Sequence, residues 1–280
     1  MRSPRQIFED NMRPADLLMR VYRLLNTDDH LLDQGAMVET LRSIVNAGSE
    51  EGLIVVYNEI FLGLVREAAE IPTSTLRRAS LAHFLRQGVV ASCTSLETYL
   101  PAILQDKLPI VISALGRDFI NFMPKDDKTF IEKFKMLTFS LDEMLRLLTD
   151  PNAAEYIANK VIGFLGFSYL SGSKGVHVVG RLLGVTEPLK LIATRLNRDP
   201  LELERILNDT VQRRNDIVHR ADRSQKKVDD KAQDITYAWA LQSIDTIRHV
   251  CLALDELIAE RIQEFEAAIQ PQDDVEEVLS

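Results

Sequence analysis

Val211 to Asp222 reads VQRRNDIVHRAD, and what this stretch can form decides how the rest of the chain must be built. Arg213, Arg214 and Arg220 surround Asn215, Asp216 and His219, with apolar Val211, Ile217 and Val218 as the residues that hold them in place. That interleaving suits the end of a helix with one anchored side and one wet side. Four residues separate Arg214 from His219. At about 100° per residue the two lie about 140° apart around a helix, whereas Asn215 and His219, at i and i+4, share a face. From Arg213 to Lys227 there are six Arg or Lys and two Asp, a net of +4. On charge alone, an ordinary solvated helix end running into a charged loop accounts for this.

Upstream, Asp199-Pro200-Leu201-Glu202 marks a sharp helix start. Asp199 is placed to cap, Pro200 fits the first turn, and Glu202 stands at the capping-box position. Leu203, Ile206, Leu207 and Val211 then recur at helical spacing and carry the helix into the motif. Downstream, from Tyr237, the apolar residues fall at Leu241, Ile244, Ile247, Cys251, Leu254, Ile258, Ile262 and Phe265, eight steps over 28 residues with a mean of 3.5. A long amphipathic helix with a bundle-type seam follows, ended by Pro271.

The remaining chain reads as helices too. Arg13 to Leu25, Met37 to Val45 and Leu53 to Ala69 make an N-terminal helical extension, with a soft boundary at Pro72. Leu76 to Leu100 is one long helix, Pro101 opens the next segment, and Leu108 to Phe122 forms a buried helix. Asp126-Asp127 caps a helix from Lys128 to about Leu148, and Ala153 to Phe167 makes another. Ser171-Gly172-Ser173-Lys174-Gly175 reads as a plain turn; it lacks the order of a phosphate-binding loop. Val176 to Leu183 and Pro188 to Leu196 are short helices, with Thr186 capping the second. The predicted fold class is an all-α helical bundle: residues 1–72 as the extension, 73–270 as the main domain, and 271–280 as an acidic, disordered tail.

Composition narrows the function classes. A chain of 280 residues with 46% hydrophobic content buries a sizeable core. The formal net charge of −9 argues against a surface that binds nucleic acid everywhere, but not against a local basic site. Cys93 and Cys251 have no CxxC neighbour, so no disulfide framework is expected. No apolar run spans a bilayer and no secretory leader opens the chain, so a cytoplasmic setting without membrane contact is expected. The five histidines are scattered, with no HxH or HExxH, and neither metal nor cofactor is expected. Tyr237 and Trp239 have the shape to stack on a base; anchoring in the core is the favoured reading.

RRNDIVHR near the end of a well-capped helix, in an all-helical chain followed by one long amphipathic helix, resembles the R-x4-6-H signature of the HEPN superfamily. The upstream SLETYL stretch adds a second point of likeness, and the resemblance is closest to the RiboL-PSP type, over roughly Thr73 to Ile269. It implies a helical ribonuclease with Arg214, Asn215 and His219 as the catalytic residues. Glu97 of SLETYL corresponds to an acidic residue often found on an early helix of such proteins; an exposed surface acid is the equal alternative. Arg213, Asp216 and Arg220 are supporting residues.

The chemistry fits those residue types. RNA carries its own nucleophile, the 2′-hydroxyl, so cleavage needs a base, an acid and a cation for the developing phosphorane charge. Histidine titrates near neutrality, and arginine offers a permanent planar fork for phosphate oxygens. The resemblance further implies face-to-face homodimers, RNA as substrate, and a role in prokaryotic defence or a toxin–antitoxin pair with a cognate partner protein. A non-catalytic HEPN-like module that binds a nucleotide or a protein is the alternative, and a purely structural scaffold the third reading.

Overall fold

Leu, Ile and Ala at three- and four-residue spacing can bury one stripe of a helix but not one face of a strand, and the structure follows that pattern. A computed structural model describes residues 2–25, 78–122, 136–165, 170–223 and 232–269. Among these are eight α-helices, one 3-10 helix and no strand, an all-α fold. In chain order they are α1 (Pro4–Leu25), α2 (Arg78–Leu115), the 3-10 helix (Gly116–Phe122), α3 (Leu141–Leu147), α4 (Ala153–Leu165), α5 (Gly172–Leu182), α6 (Pro188–Arg195), α7 (Pro200–Arg220) and α8 (Tyr237–Ile269). The helices expected over Met37 to Val45 and Leu53 to Ala69, the boundary at Pro72 and the acidic tail lie outside the described residues. None of the described helices is long and apolar enough to cross a membrane.

The chain divides into two compact units. Met1–Asn11, Cys93–Arg213 and Asp245–Ser280 make the first; Met12–Ser92 and Arg214–Ile244 make the second.

The first unit holds the larger core. Leu100, Ile103, Leu104 and Leu108 of α2 are buried, as are Leu203 and Leu207 of α7 and Ile247, Leu254 and Ile258 of α8. This burial explains why α2 does not stop at Pro101, as expected from the sequence, but runs through both Pro101 and Pro109. A proline inside a helix costs about 3 kcal/mol, and each fully buried aliphatic side chain returns about 1.5–3 kcal/mol. The helix then tightens at Gly116 into the 3-10 turn that takes the place of the expected helix end at Phe122. Phe8 packs edge-on against buried Tyr99, whose hydroxyl donates to Asp255 at 3.1 Å. Burial raises both the Tyr99 phenol and the Asp255 carboxyl above their ordinary pKa values. Cys93 and Cys251 are buried free thiols.

Three further expectations are corrected here for local reasons. The helix predicted from Lys128 to about Leu148 is not continuous: its Asp126-Asp127 cap and residues 128–135 lie outside the described residues, residues 136–140 are not helical, and α3 opens at Leu141, where Ser140 and Glu143 form a reciprocal capping box. Lys160, then the Tyr156 hydroxyl, then the Ser140 backbone N–H hold the Glu143 carboxyl down to about 2. Ser171–Gly175 is not a turn but the start of α5, with Ser171 at the cap and Gly172 at φ 60°. Its first-turn groups already have partners: the Ser173 N–H donates to Asn208 Oδ1 at 3.3 Å and the Ser173 hydroxyl to Glu204 at 3.3 Å. At α6 the cap residue is Glu187, without a side-chain bond, rather than Thr186; Pro188 opens the helix with its fixed φ.

Close packing of α5 on α6 depends on a missing side chain. A Cβ on Gly180 would sit 2.4 Å from Pro188 Cγ, part of a rigid ring with no way to retreat. Gly180→Ala is expected to destabilise the protein by about 1–3 kcal/mol, read as a lower denaturant midpoint at unchanged m-value.

The second unit is smaller. Met12, Met19 and Tyr22 of α1, Leu81, Leu85 and Val89 of α2, Ile217 of α7 and Ile244 of α8 are among its buried apolar residues. Tyr237 stacks on Tyr22 at 5.8 Å between ring centroids, so it anchors the start of α8 rather than presenting a face to a base. Thr236 caps α8 by accepting from the Trp239 N–H at 3.2 Å.

Candidate active site

α7 is built to carry a fixed load at its end. Asp199 accepts from the Glu202 N–H at 2.8 Å, the N-cap expected from the sequence, and Leu203 and Leu207 are fully buried. Arg214 follows them by eleven and seven positions, within about 20° of the same line around the helix. Its side chain is accordingly half-buried, with the Nε atom inside the protein. His219 and Arg220 are exposed, Arg213 and Asn215 half-buried, and Asp216 buried. Of the three apolar residues expected to hold the motif, Ile217 is buried and Val211 half-buried, but Val218 is 52% exposed. Val218 is therefore surface, not anchor.

The structure thus brings Asn215 and His219 onto one side of the last turns of α7. It leaves Arg214 on the core-facing side, about 140° from His219 around the helix axis. Glu97 is half-buried on α2, in the first unit, so it is neither the buried acid nor the fully exposed one that the sequence allowed. Among the described residues no group of three His, Cys, Asp or Glu is arranged to hold a metal.

The way α7 stops is distinctive. α5 and α6 end in ordinary Schellman turns on Gly184 (φ 88°) and Asn197 (φ 51°). There the N–H of Val185 donates to Gly180 at 2.8 Å, and that of Arg198 to Ala193 at 2.9 Å, each five residues back. α7 closes more widely. Ala221 (φ 49°) and Asp222 (φ 64°) are both left-handed, and the Asp222 N–H donates to the Asp216 carbonyl at 2.9 Å. His219 lies inside that closed turn. An alanine in the left-handed region costs roughly 1–2 kcal/mol, so something must hold it there.

Arg86 does so, a residue outside the VQRRNDIVHRAD motif. The Asp222 side chain is fully buried and Arg86 nearly so, and the Arg86 Nε donates to Asp222 Oδ2 at 2.6 Å. The Arg86 Nη2 donates to the Gln233 carbonyl at 2.8 Å, and the Gln233 N–H donates to the Asp222 carbonyl at 2.8 Å. One guanidinium ties α2, the end of α7 and the approach to α8 together. The available signal was a lone arginine between Leu85 and Val89 on an otherwise apolar helix face.

The RiboL-PSP-HEPN family model matches residues 63–260. Comparison with curated proteins and with solved structures returned no match. The matched span takes in α2 to α7, most of α8 and the whole of VQRRNDIVHRAD, and it exceeds half of the 280 residues. The chain therefore belongs to the RiboL-PSP-HEPN family.

Proposed function

We propose that this protein is a metal-independent endoribonuclease that acts as a homodimer, with Arg214, Asn215 and His219 as its catalytic residues. The observation that carries the reading is an exposed His219, with Asn215 one turn away, held in a strained helix end of a HEPN-family chain.

The imidazole of one subunit takes the proton from the RNA 2′-hydroxyl, whose oxygen attacks the adjacent phosphorus. The imidazole of the other subunit gives a proton to the departing 5′-oxygen, leaving a 2′,3′-cyclic phosphate and a 5′-hydroxyl. Arg214 extends its guanidinium toward the phosphate oxygens, and Asn215 orients the imidazole or donates to the phosphate. Two copies resolve the angular problem, because a two-fold axis places His219 twice and lets the Arg214 of one helix reach a cleft lined by the other. Exposed Val218, one turn beyond Arg214, supplies apolar surface for that contact. The net positive run from Arg213 to Lys227 supplies the local field for a polyanion. Defence, or pairing with a protein antitoxin, is the setting this activity fits.

Incubation of the purified full-length chain with single-stranded RNA in excess EDTA tests the reading. The expected outcome is endonucleolytic cleavage with 2′,3′-cyclic phosphate ends, from a species with twice the mass of one chain. RNA that is bound but left intact would instead support a non-catalytic binding module, the reading favoured by the half-burial of Arg214.

A further inference from the structure

We propose that Arg86 is a positioning residue for His219, acting through Asp222 and the strained turn that ends α7. Three observations converge on it. The turn that contains His219 is closed by the Asp222 N–H on the Asp216 carbonyl, and it needs Ala221 and Asp222 in the left-handed region. Nothing in a lone alanine holds that backbone, and the preceding Arg220 is exposed. The Asp222 carboxylate, by contrast, is wholly buried against the Arg86 fork, which also bonds the Gln233 carbonyl.

Stability alone does not account for such a pair. Desolvating two charges offsets most of their attraction, and two apolar groups of similar volume commonly serve as well or better. A planar fork does what an apolar contact does not: it fixes direction. With Nε on the Asp222 carboxylate and Nη2 on the Gln233 carbonyl, the guanidinium fixes residue 222 against residue 233, whose N–H in turn bonds the Asp222 carbonyl. Two residues separate that point from His219, so the imidazole is aimed by a bond made on another helix. Strained backbone held by surrounding structure is what pre-organisation of a site requires.

The catalytic half of this inference rests on the ribonuclease reading; the geometric half does not. The test therefore uses two readouts on the full-length chain: amide hydrogen exchange over residues 216–222, and kcat and KM on single-stranded RNA. The first variant pairs Arg86→Met with Asp222→Asn, which removes both charges and leaves no uncompensated ion. The second is Arg86→Lys, which keeps the charge but has no fork with which to hold both acceptors.

For the paired variant, exchange over 216–222 is expected to quicken by about tenfold, and kcat to fall on the order of 100-fold while KM stays within about threefold. Arg86→Lys is expected to fall between it and wild type on both readouts. A folded paired variant in which either exchange or kcat stays within about twofold of wild type overturns the proposal. If the paired variant does not fold, the same two rates in Arg86→Lys decide. If wild type cleaves no RNA, the ribonuclease reading falls by itself, and exchange alone then upholds or overturns the aiming of residue 219.

Discussion

His219→Ala is expected to lower RNA cleavage roughly 100- to 10,000-fold, toward the upper end of that range, while the protein stays folded. The upper end follows from symmetry. In a two-fold site the same residue number supplies both the base for the 2′-hydroxyl and the acid for the 5′-oxygen, so one substitution removes both proton transfers. Stability should change little, because the His219 side chain is exposed. Arg214→Ala is expected to cost about 100- to 1,000-fold, the usual loss for one donor that stabilises developing negative charge. It should also destabilise modestly, since Arg214 is half-buried in line with Leu203 and Leu207. A mixing experiment separates a shared site from two independent ones. Excess His219→Ala chain added to wild type should suppress cleavage beyond simple dilution, because every mixed dimer lacks one imidazole. Cleavage that survives both substitutions would end the enzymatic assignment of this motif.

The sequence showed the sides of helices better than their neighbours. Of the α8 seam, Ile244, Ile247, Cys251, Leu254, Ile258, Ile262 and Phe265 are all buried, while Leu241 is 37% exposed. Periodicity says which way a side chain points, not whether another element waits there. Val218 fails in the same way: it points along the line of Leu207 but lies in the last turn. Local chemistry was legible where it is self-contained, as in the Asp199 cap on the Glu202 N–H. It misled where tertiary packing overrides it, as at Pro101, where four buried aliphatic residues carry the helix on. The Ser171–Gly175 glycines looked like a loop because glycine usually marks one. In the fold, Gly175 is there for room: a Cβ would come within 2.7 Å of the Leu170 backbone. Within the motif, spacing foretold that Arg214 and His219 face different ways. The Arg86–Asp222 pair was out of reach, since its members stand 136 positions apart and a lone arginine on an apolar helix face does not name its partner.

That pair sets the largest stability effect. Asp222→Ala is expected to cost about 3–5 kcal/mol, lowering the melting temperature by about 10 °C, because it strands the Arg86 guanidinium in the interior. The loss has a second source: without the carboxylate, only backbone bonds oppose relaxation of the left-handed Ala221, and the end of α7 frays more readily. Asp209→Ala makes the comparison sharp. Asp209 also lies on α7 and pairs with Arg205 at 3.1 Å, but both side chains are more than half exposed, so its loss is expected to cost only about 0.3–0.5 kcal/mol. Adding Arg86→Met to Asp222→Ala should recover most of the lost stability, since the uncompensated charge, rather than the missing bond, carries most of the penalty. Equal melting temperatures for Asp222→Ala and Asp209→Ala would mean that water reaches the Arg86 guanidinium, and the clamp on the motif helix would then be no stronger than a surface contact.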